Sequence, residues 1–155
     1  IRALRAFLRR GFYPEAEVLI ADFENRFRED LSESQTREFL NLQAQLSLAL
    51  GEDEEAAAIL EEVLAEDPLN GNALMLLGDY SLSQGDNETA VYYYQRALNI
   101  SEFQREAQLQ LARIFVRQKE YLKAIRQLEA ALELEYSANV SDFLDAVRAI
   151  YNRSL

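Results

Sequence analysis

The sequence predicts an all-α protein built as an array of paired helices, and three observations carry that reading. The first is a period: Leu74, Leu77, Gly78 and Ser81 recur at helical spacing, as do Ala90, Tyr94, Ala97 and Leu98, and the pattern returns when the frame moves by 34 residues either way. The second is turn chemistry between the two sets, where Gly85-Asp86-Asn87 ends one helix and caps the next. The third is composition: two prolines and five glycines in 155 residues, with Ala, Leu and Glu abundant, leave helix as the main element.

Residues 1–36 come first and read as a degenerate helix pair. Ala3, Leu4, Phe7 and Leu8 make a short amphipathic helix that Gly11 stops, and Pro14 stands near the start of the next helix, where its missing N–H costs nothing. Gly11, Ala16, Ile20 and Phe23 follow the spacing of Gly85, Ala90, Tyr94 and Ala97. From Gly11 to Gly51 is 40 residues rather than 34, so the second helix is expected to be longer by about a turn and a half, within residues 24–36. Ser32 with Gln35 has capping-box spacing. The Arg-rich start, Arg2, Arg5, Arg9 and Arg10, has no earlier helix to cover Leu4, Phe7 and Leu8, so this helix is expected to fray or to meet a second molecule.

Residues 37–70 are the first full repeat: Leu40, Ala44, Gly51, Ala56, Leu60 and Leu64 align with Leu74, Gly78, Gly85, Ala90, Tyr94 and Leu98. Asp53 opens the second helix, and Glu52–Glu55 place negative charge at its N-terminus, as the macrodipole favours. Residues 52–67 hold eight acids and no base, which reads first as a solvated outer face and second as a docking patch for a basic partner. Residues 71–104 are the second repeat. Residues 105–138 are the third, aligning Leu111, Ala112, Phe115, Ala124, Leu128, Ala131 and Leu132 with Leu77, Gly78, Ser81, Ala90, Tyr94, Ala97 and Leu98. Here the charge reverses: Arg105, Arg113, Arg117, Lys119, Lys123 and Arg126 face only Glu106 and Glu120. In residues 139–155 Ser141 is the expected N-cap, and Phe143, Leu144, Val147, Ile150 and Tyr151 form one apolar face of a capping helix.

Composition also excludes. The chain has no Cys and no His, which removes disulfides, thiolate nucleophiles, zinc sites of the usual ligand set and imidazole bases. No cofactor and no metal is expected. A net charge of −11 argues against a nucleic-acid partner. No run of about 18 apolar residues exists, so no transmembrane segment is expected. A Cys-free chain is compatible with cytoplasmic or extracytoplasmic localisation. The chain begins at Ile1 rather than Met and is read as an excised or processed piece.

The pattern resembles that of the tetratricopeptide repeat family: a large residue, Leu-Gly, an aromatic, Gly, Ala, an aromatic, Ala-Leu and a closing Pro. The second repeat matches at Leu74, Leu77-Gly78, Gly85, Ala90, Tyr94 and Ala97-Leu98, and departs at Ser81 and Glu102. The first keeps Pro68 but has Gln43; the third has Gln108 and Lys119 where a large residue and Gly stand elsewhere. The resemblance implies a right-handed α-α superhelix, a solenoid of tetratricopeptide-type helix-turn-helix repeats, treated as one domain over residues 1–155 with helix pairs beginning near residues 37, 71 and 105.

It also implies a non-catalytic protein–protein interaction scaffold, which binds a peptide or helical segment in a concave groove lined by the first helix of each repeat. The groove positions so implied are Asn41, Gln45, Asn72, Met75, Asp79, Leu82, Leu109, Arg113, Val116 and Arg117, with Met75, Leu82, Leu109 and Val116 as an apolar strip. The competing reading buries the apolar members against neighbouring helices. The family's clamp for C-terminal carboxylates finds only Asn41 and Arg113 here, without its Lys. The expected partner is a protein or peptide, and the expected state a monomer or weak homodimer. Two other functions stay open: a self-association module, and a helical accessory domain of a larger enzyme or complex. Tyr94 is assigned to the core, while Tyr92 and Tyr93 are assigned to partner stacking or to contact with the next repeat. The Asn87, Asn99 and Asn139 sequons read as helix-cap chemistry.

Overall fold

The computed structural model describes residues 1–27 and 31–154. Among them every regular element is an α-helix: α1 Arg2–Arg10, α2 Tyr13–Phe27, α3 Glu33–Leu50, α4 Asp53–Glu66, α5 Gly71–Ser83, α6 Asn87–Ala97, α7 Gln104–Arg117, α8 Tyr121–Leu134 and α9 Ala138–Arg153. The chain divides into two compact units, Ile1–Leu76 and Leu77–Leu155, with the division inside α5.

Local sequence sets most of the helix ends. Gly11, Gly51 and Gly85 all adopt the left-handed conformation, at φ 73°, 81° and 79°, which a residue without Cβ enters at no steric cost. Gly11 and Gly51 are the C-caps of α1 and α3, and donate their N–H to Leu8 and Leu48 carbonyls. The capping box opens α3: Ser32 Oγ accepts from Gln35 N at 3.3 Å, and Gln35 Oε1 accepts from Ser32 N at 3.0 Å. Asp86 caps α6, accepting from Thr89 N at 3.0 Å and from the Thr89 hydroxyl at 2.6 Å.

These bonds hold Asp86 below its ordinary value of 3.8, the Thr89 hydroxyl being the main cause. A depressed carboxylate contributes stability above its unfolded value and loses it as pH falls through the folded one. Asp86→Ala is therefore expected to lower the urea midpoint at neutral pH, and the gap from the parent should close as pH falls below 3.8. Urea titrations of both proteins at a series of pH values check this.

Two helix starts and the packing of α1 differ from expectation. The extra length between Gly11 and Gly51 was placed in the second helix, partly on residues 28–30, which lie outside the described residues. In the described part α2 has 15 residues, close to the 14 of α4, whereas α3 has 18 and starts at Glu33 rather than near Arg37. The reason is the Ser32–Gln35 box, which nucleates α3 a turn early. Ser141 is not the cap of the last helix either: α9 starts at Ala138 after Ser137 in extended backbone, so Ser141 is already inside the helix. Finally, α1 is not left uncovered. Leu4 is buried with Ala16, Ile20, Phe39, Leu42 and Leu46, and Ile1, Phe7 and Leu8 pack on the same cluster, because α1 lies against both α2 and α3. Phe23 stacks on Phe39 at 5.0 Å within that core.

In the second unit α6 packs on α7, α7 on α8 and α8 on α9. Leu111, Ile114, Phe115, Leu128, Leu144 and Val147 are buried there, and Arg148 reaches from α9 to Glu129 on α8 at 2.6 Å. The small positions of the repeat behave alike: Ala44 and Ala56, Gly78 and Ala90, and Ala112 and Ala124 are all buried. Each repeat also buries a large residue at one equivalent position, Leu60, Tyr94 or Leu128, all fully excluded from solvent. The repeat with Gly at the first of these positions has Tyr at the second, and the flanking repeats have Ala and Leu, so the larger side chain goes with the smaller residue, as dense interiors require.

Candidate interaction surface

The site is built from Tyr94. Its ring lies over Gly78 so closely that a Cβ there would stand 2.5 Å from the ring. The buried ring carries its hydroxyl to Asp79 Oδ1, donating at 2.6 Å. Burial first, then the hydrogen bond and charge of Asp79, push the Tyr94 phenol well above the ordinary tyrosine value, with Arg117 acting in the opposite sense and Glu106 in the same one. Of these groups Asp79 on α5 is the one in contact with the hydroxyl; Glu106 and Arg117 on α7 act on it through charge alone. Asp79, Glu106 and Arg117 are exposed to solvent, and so is Arg113, one turn from Arg117 on α7, where it donates to Gln110 Oε1 at 3.3 Å. Leu82, Leu109 and Val116 are half-buried. Six of the implied groove residues, Asp79, Leu82, Leu109, Arg113, Val116 and Arg117, thus fall in the second unit with exposed or partly exposed side chains.

The other four lie in the first unit and divide differently. Met75 is only 6 % exposed, so it cannot head an apolar strip at the surface; it packs inside. Asn41 is equally buried, and its amide is used for bracing: Nδ2 donates to the Arg37 carbonyl at 2.9 Å and to Asn70 Oδ1 at 3.4 Å, while Asn70 Oδ1 also accepts from Ala73 N at 3.0 Å. Asn41 thereby ties α3 to the cap of α5, a structural task that removes it from carboxylate recognition. Gln45 is half-buried and Asn72 exposed. Sequence reasoning placed Tyr94 correctly in the core but missed its hydroxyl. The only signal was an Asp fifteen residues earlier, which no local rule connects to it.

Elsewhere, the acidic residues Glu54, Glu55, Glu61, Glu62 and Glu66 of α4 are exposed, in keeping with a solvated face. Tyr92 is exposed and Tyr93 half-buried, their rings meeting edge to face at 5.3 Å, with Arg96 over the Tyr92 ring at 5.5 Å. Among the described residues no group of three or more acids is arranged to hold a metal ion, and no helix is long and apolar enough to cross a membrane.

Paired helices with left-handed turns, small residues at each crossing and a side-chain-lined first-helix face define an all-α helical-repeat protein. The tetratricopeptide repeat profile matches residues 1–68 and 41–107, and the chain belongs to the tetratricopeptide repeat family. No curated protein sequence matches the chain. Among solved structures, the Yersinia enterocolitica type III secretion translocator chaperone SycD is similar in fold at 20 % identity, with a TM-score of 0.71 over 81 % of this chain and 92 % of that one. The MamA protein is similar at 16 % identity, with a TM-score of 0.69 over 98 % of this chain and 86 % of that one. Family and fold together make the chain a protein-interaction scaffold.

Proposed function

We propose that this scaffold is non-catalytic and binds an extended or helical segment of a partner protein on the first-helix face of the second unit. The observation that supports the reading is the bond from the Tyr94 hydroxyl to Asp79 on α5, with Arg113 and Arg117 exposed and Leu82, Leu109 and Val116 partly exposed on the first helices of the same unit. A fixed set of charges next to apolar side chains selects a ligand by side-chain pattern, while the charges set register and on-rate. Arg113 and Arg117 bias the C-terminal end of α7 towards a ligand carrying an acidic residue or a free carboxylate. A translocator chaperone among the solved structures of similar fold is in keeping with a role in holding another chain.

The test is selection of peptides from a random library by the parent protein, followed by calorimetric titration of the selected peptides against Arg113→Glu/Arg117→Glu at two salt concentrations. The double variant is expected to bind about tenfold more weakly or worse and to reverse the salt dependence, since both side chains are exposed and their loss leaves the fold intact. Selected peptides that bind parent and variant alike at both salts would move the site off this face.

A further inference from the structure

The second unit holds a concave surface lined by none of the groove residues. The N-terminal end of α8 and the C-terminal end of α9 enclose a cleft of about 630 Å³ lined by Lys119, Tyr121, Leu122, Lys123, Arg126 and Tyr151, among others. Four independent features mark it.

The first is the backbone of Lys119. It occupies the place that Gly51 and Gly85 hold in the two preceding repeats and adopts the same left-handed conformation, at φ 62°. For a residue with a Cβ this conformation is costly, and glycine is the cheap solution that the chain uses twice. A lysine retained there against that cost delivers a charged side chain to the rim of the cleft.

The second feature is charge without a partner. Lys119 and Arg126 make no ion pair among the described residues, whereas Lys123 is paired with Glu120 and lies over the Phe115 ring at 5.4 Å. The cleft thus carries three cations, Lys119, Lys123 and Arg126, against one acid, Glu120, in a chain of net charge −11. The third is the end of α8 itself. The second helix of each pair elsewhere has an acid in its first turn, Glu15 in α2, Asp53–Glu55 in α4 and Glu88 in α6, but α8 has none and Glu120 makes no side-chain cap. The positive end of the helix dipole therefore faces the cleft with one acid beside it, the N-cap Glu120, whose carboxylate is taken by Lys123. The fourth is apolar: Leu122 is half exposed, with the partly buried rings of Tyr121 and Tyr151 nearby.

We infer that this cleft binds an acidic segment of a partner protein that also carries an aliphatic or aromatic side chain. The cations and helix end take the carboxylates, and the apolar group covers Leu122 against Tyr151. A simple anion would leave Leu122 in water. A second copy of this chain would bring another net charge of −11 with it. This site is separate from the first-helix groove, and because the groove's cations also favour acidic ligands its test is run with Arg113 and Arg117 already reversed.

The experiment is fluorescence anisotropy with a fluorescein-labelled peptide of alternating Glu and Leu or Phe, beside a control in which Lys replaces Glu. The parent is expected to bind the acidic peptide, more weakly as salt rises, and not the lysine peptide. In the Arg113→Glu/Arg117→Glu background, which removes the groove's own cations, the acidic peptide should still bind, and adding Lys119→Glu/Arg126→Glu should cost about tenfold or more in affinity. Lys119→Gly should weaken binding without lowering the urea midpoint, because glycine removes the left-handed penalty. The inference is overturned if the acidic peptide does not bind the Arg113→Glu/Arg117→Glu protein, if the lysine peptide binds as well, or if adding Lys119→Glu/Arg126→Glu to that background changes nothing. Unchanged affinity in Lys119→Gly also overturns it. So does retention of the parent but not Lys119→Glu/Arg126→Glu by phosphatidylglycerol vesicles, which makes the occupant a lipid surface, or self-association in sedimentation that this same variant abolishes, which makes it a second copy.

Discussion

Tyr94→Ala is expected to remove about 3–5 kcal/mol of stability, enough to leave the second unit largely unfolded at moderate urea. The ring is fully buried, and its removal opens a cavity over Gly78 that a glycine cannot help to fill. Tyr94→Phe separates packing from hydrogen bonding. It keeps the ring and deletes only the bond to Asp79, and because Asp79 is exposed, water replaces the lost donor. The expected cost is correspondingly small, about 0.5–1.5 kcal/mol. The two variants also differ from the parent in alkali. A phenol raised in the folded state contributes stability below its ordinary value of 10.0 and loses it as pH rises towards the folded value. The parent should therefore lose stability above pH 10 in a way that Tyr94→Phe does not. Urea midpoints at neutral and alkaline pH decide both points; equal midpoints for parent and Tyr94→Ala would place the ring at the surface.

The reciprocal change, Gly78→Ala, sets two effects against each other. Alanine is better than glycine inside a helix by about 1 kcal/mol. Its Cβ, however, would lie 2.5 Å from the Tyr94 ring, which is buried on all sides and held at its far end by Asp79, so the ring has nowhere to go. Overpacking of this kind costs about 1–3 kcal/mol, and with both partners fixed the packing term wins. Gly78→Ala should thus lower the urea midpoint despite its better helix propensity. Gly78→Ala/Tyr94→Leu should recover much of the loss, since it restores the residues that the flanking repeats bury at the equivalent positions, Ala44 and Leu60, and Ala112 and Leu128. The measurement is a double-mutant cycle. Additive losses would mean that the two positions do not meet.

What the sequence by itself determined about this protein is what depends on neighbours along the chain. The period of 34 residues, the left-handed Gly51 and Gly85, the Ser32–Gln35 box, the small residues at each helix crossing and the helix starts near residues 71 and 105 all follow from local rules. So does family membership, because a repeat is local information written three times. The tertiary structure alone decided which side chains meet. It buried Met75 and set Asn41 to bracing Asn70, because burial depends on which helix lies opposite. It joined Tyr94 to Asp79 fifteen residues away, and it covered α1 from two sides. Lys119 shows the division most sharply: the sequence shows only a lysine where glycine is usual, and the fold reveals that it keeps the glycine's backbone and brings a cation to a cleft between two helices. Local propensity can set a turn, but only packing decides what the turn's side chain faces.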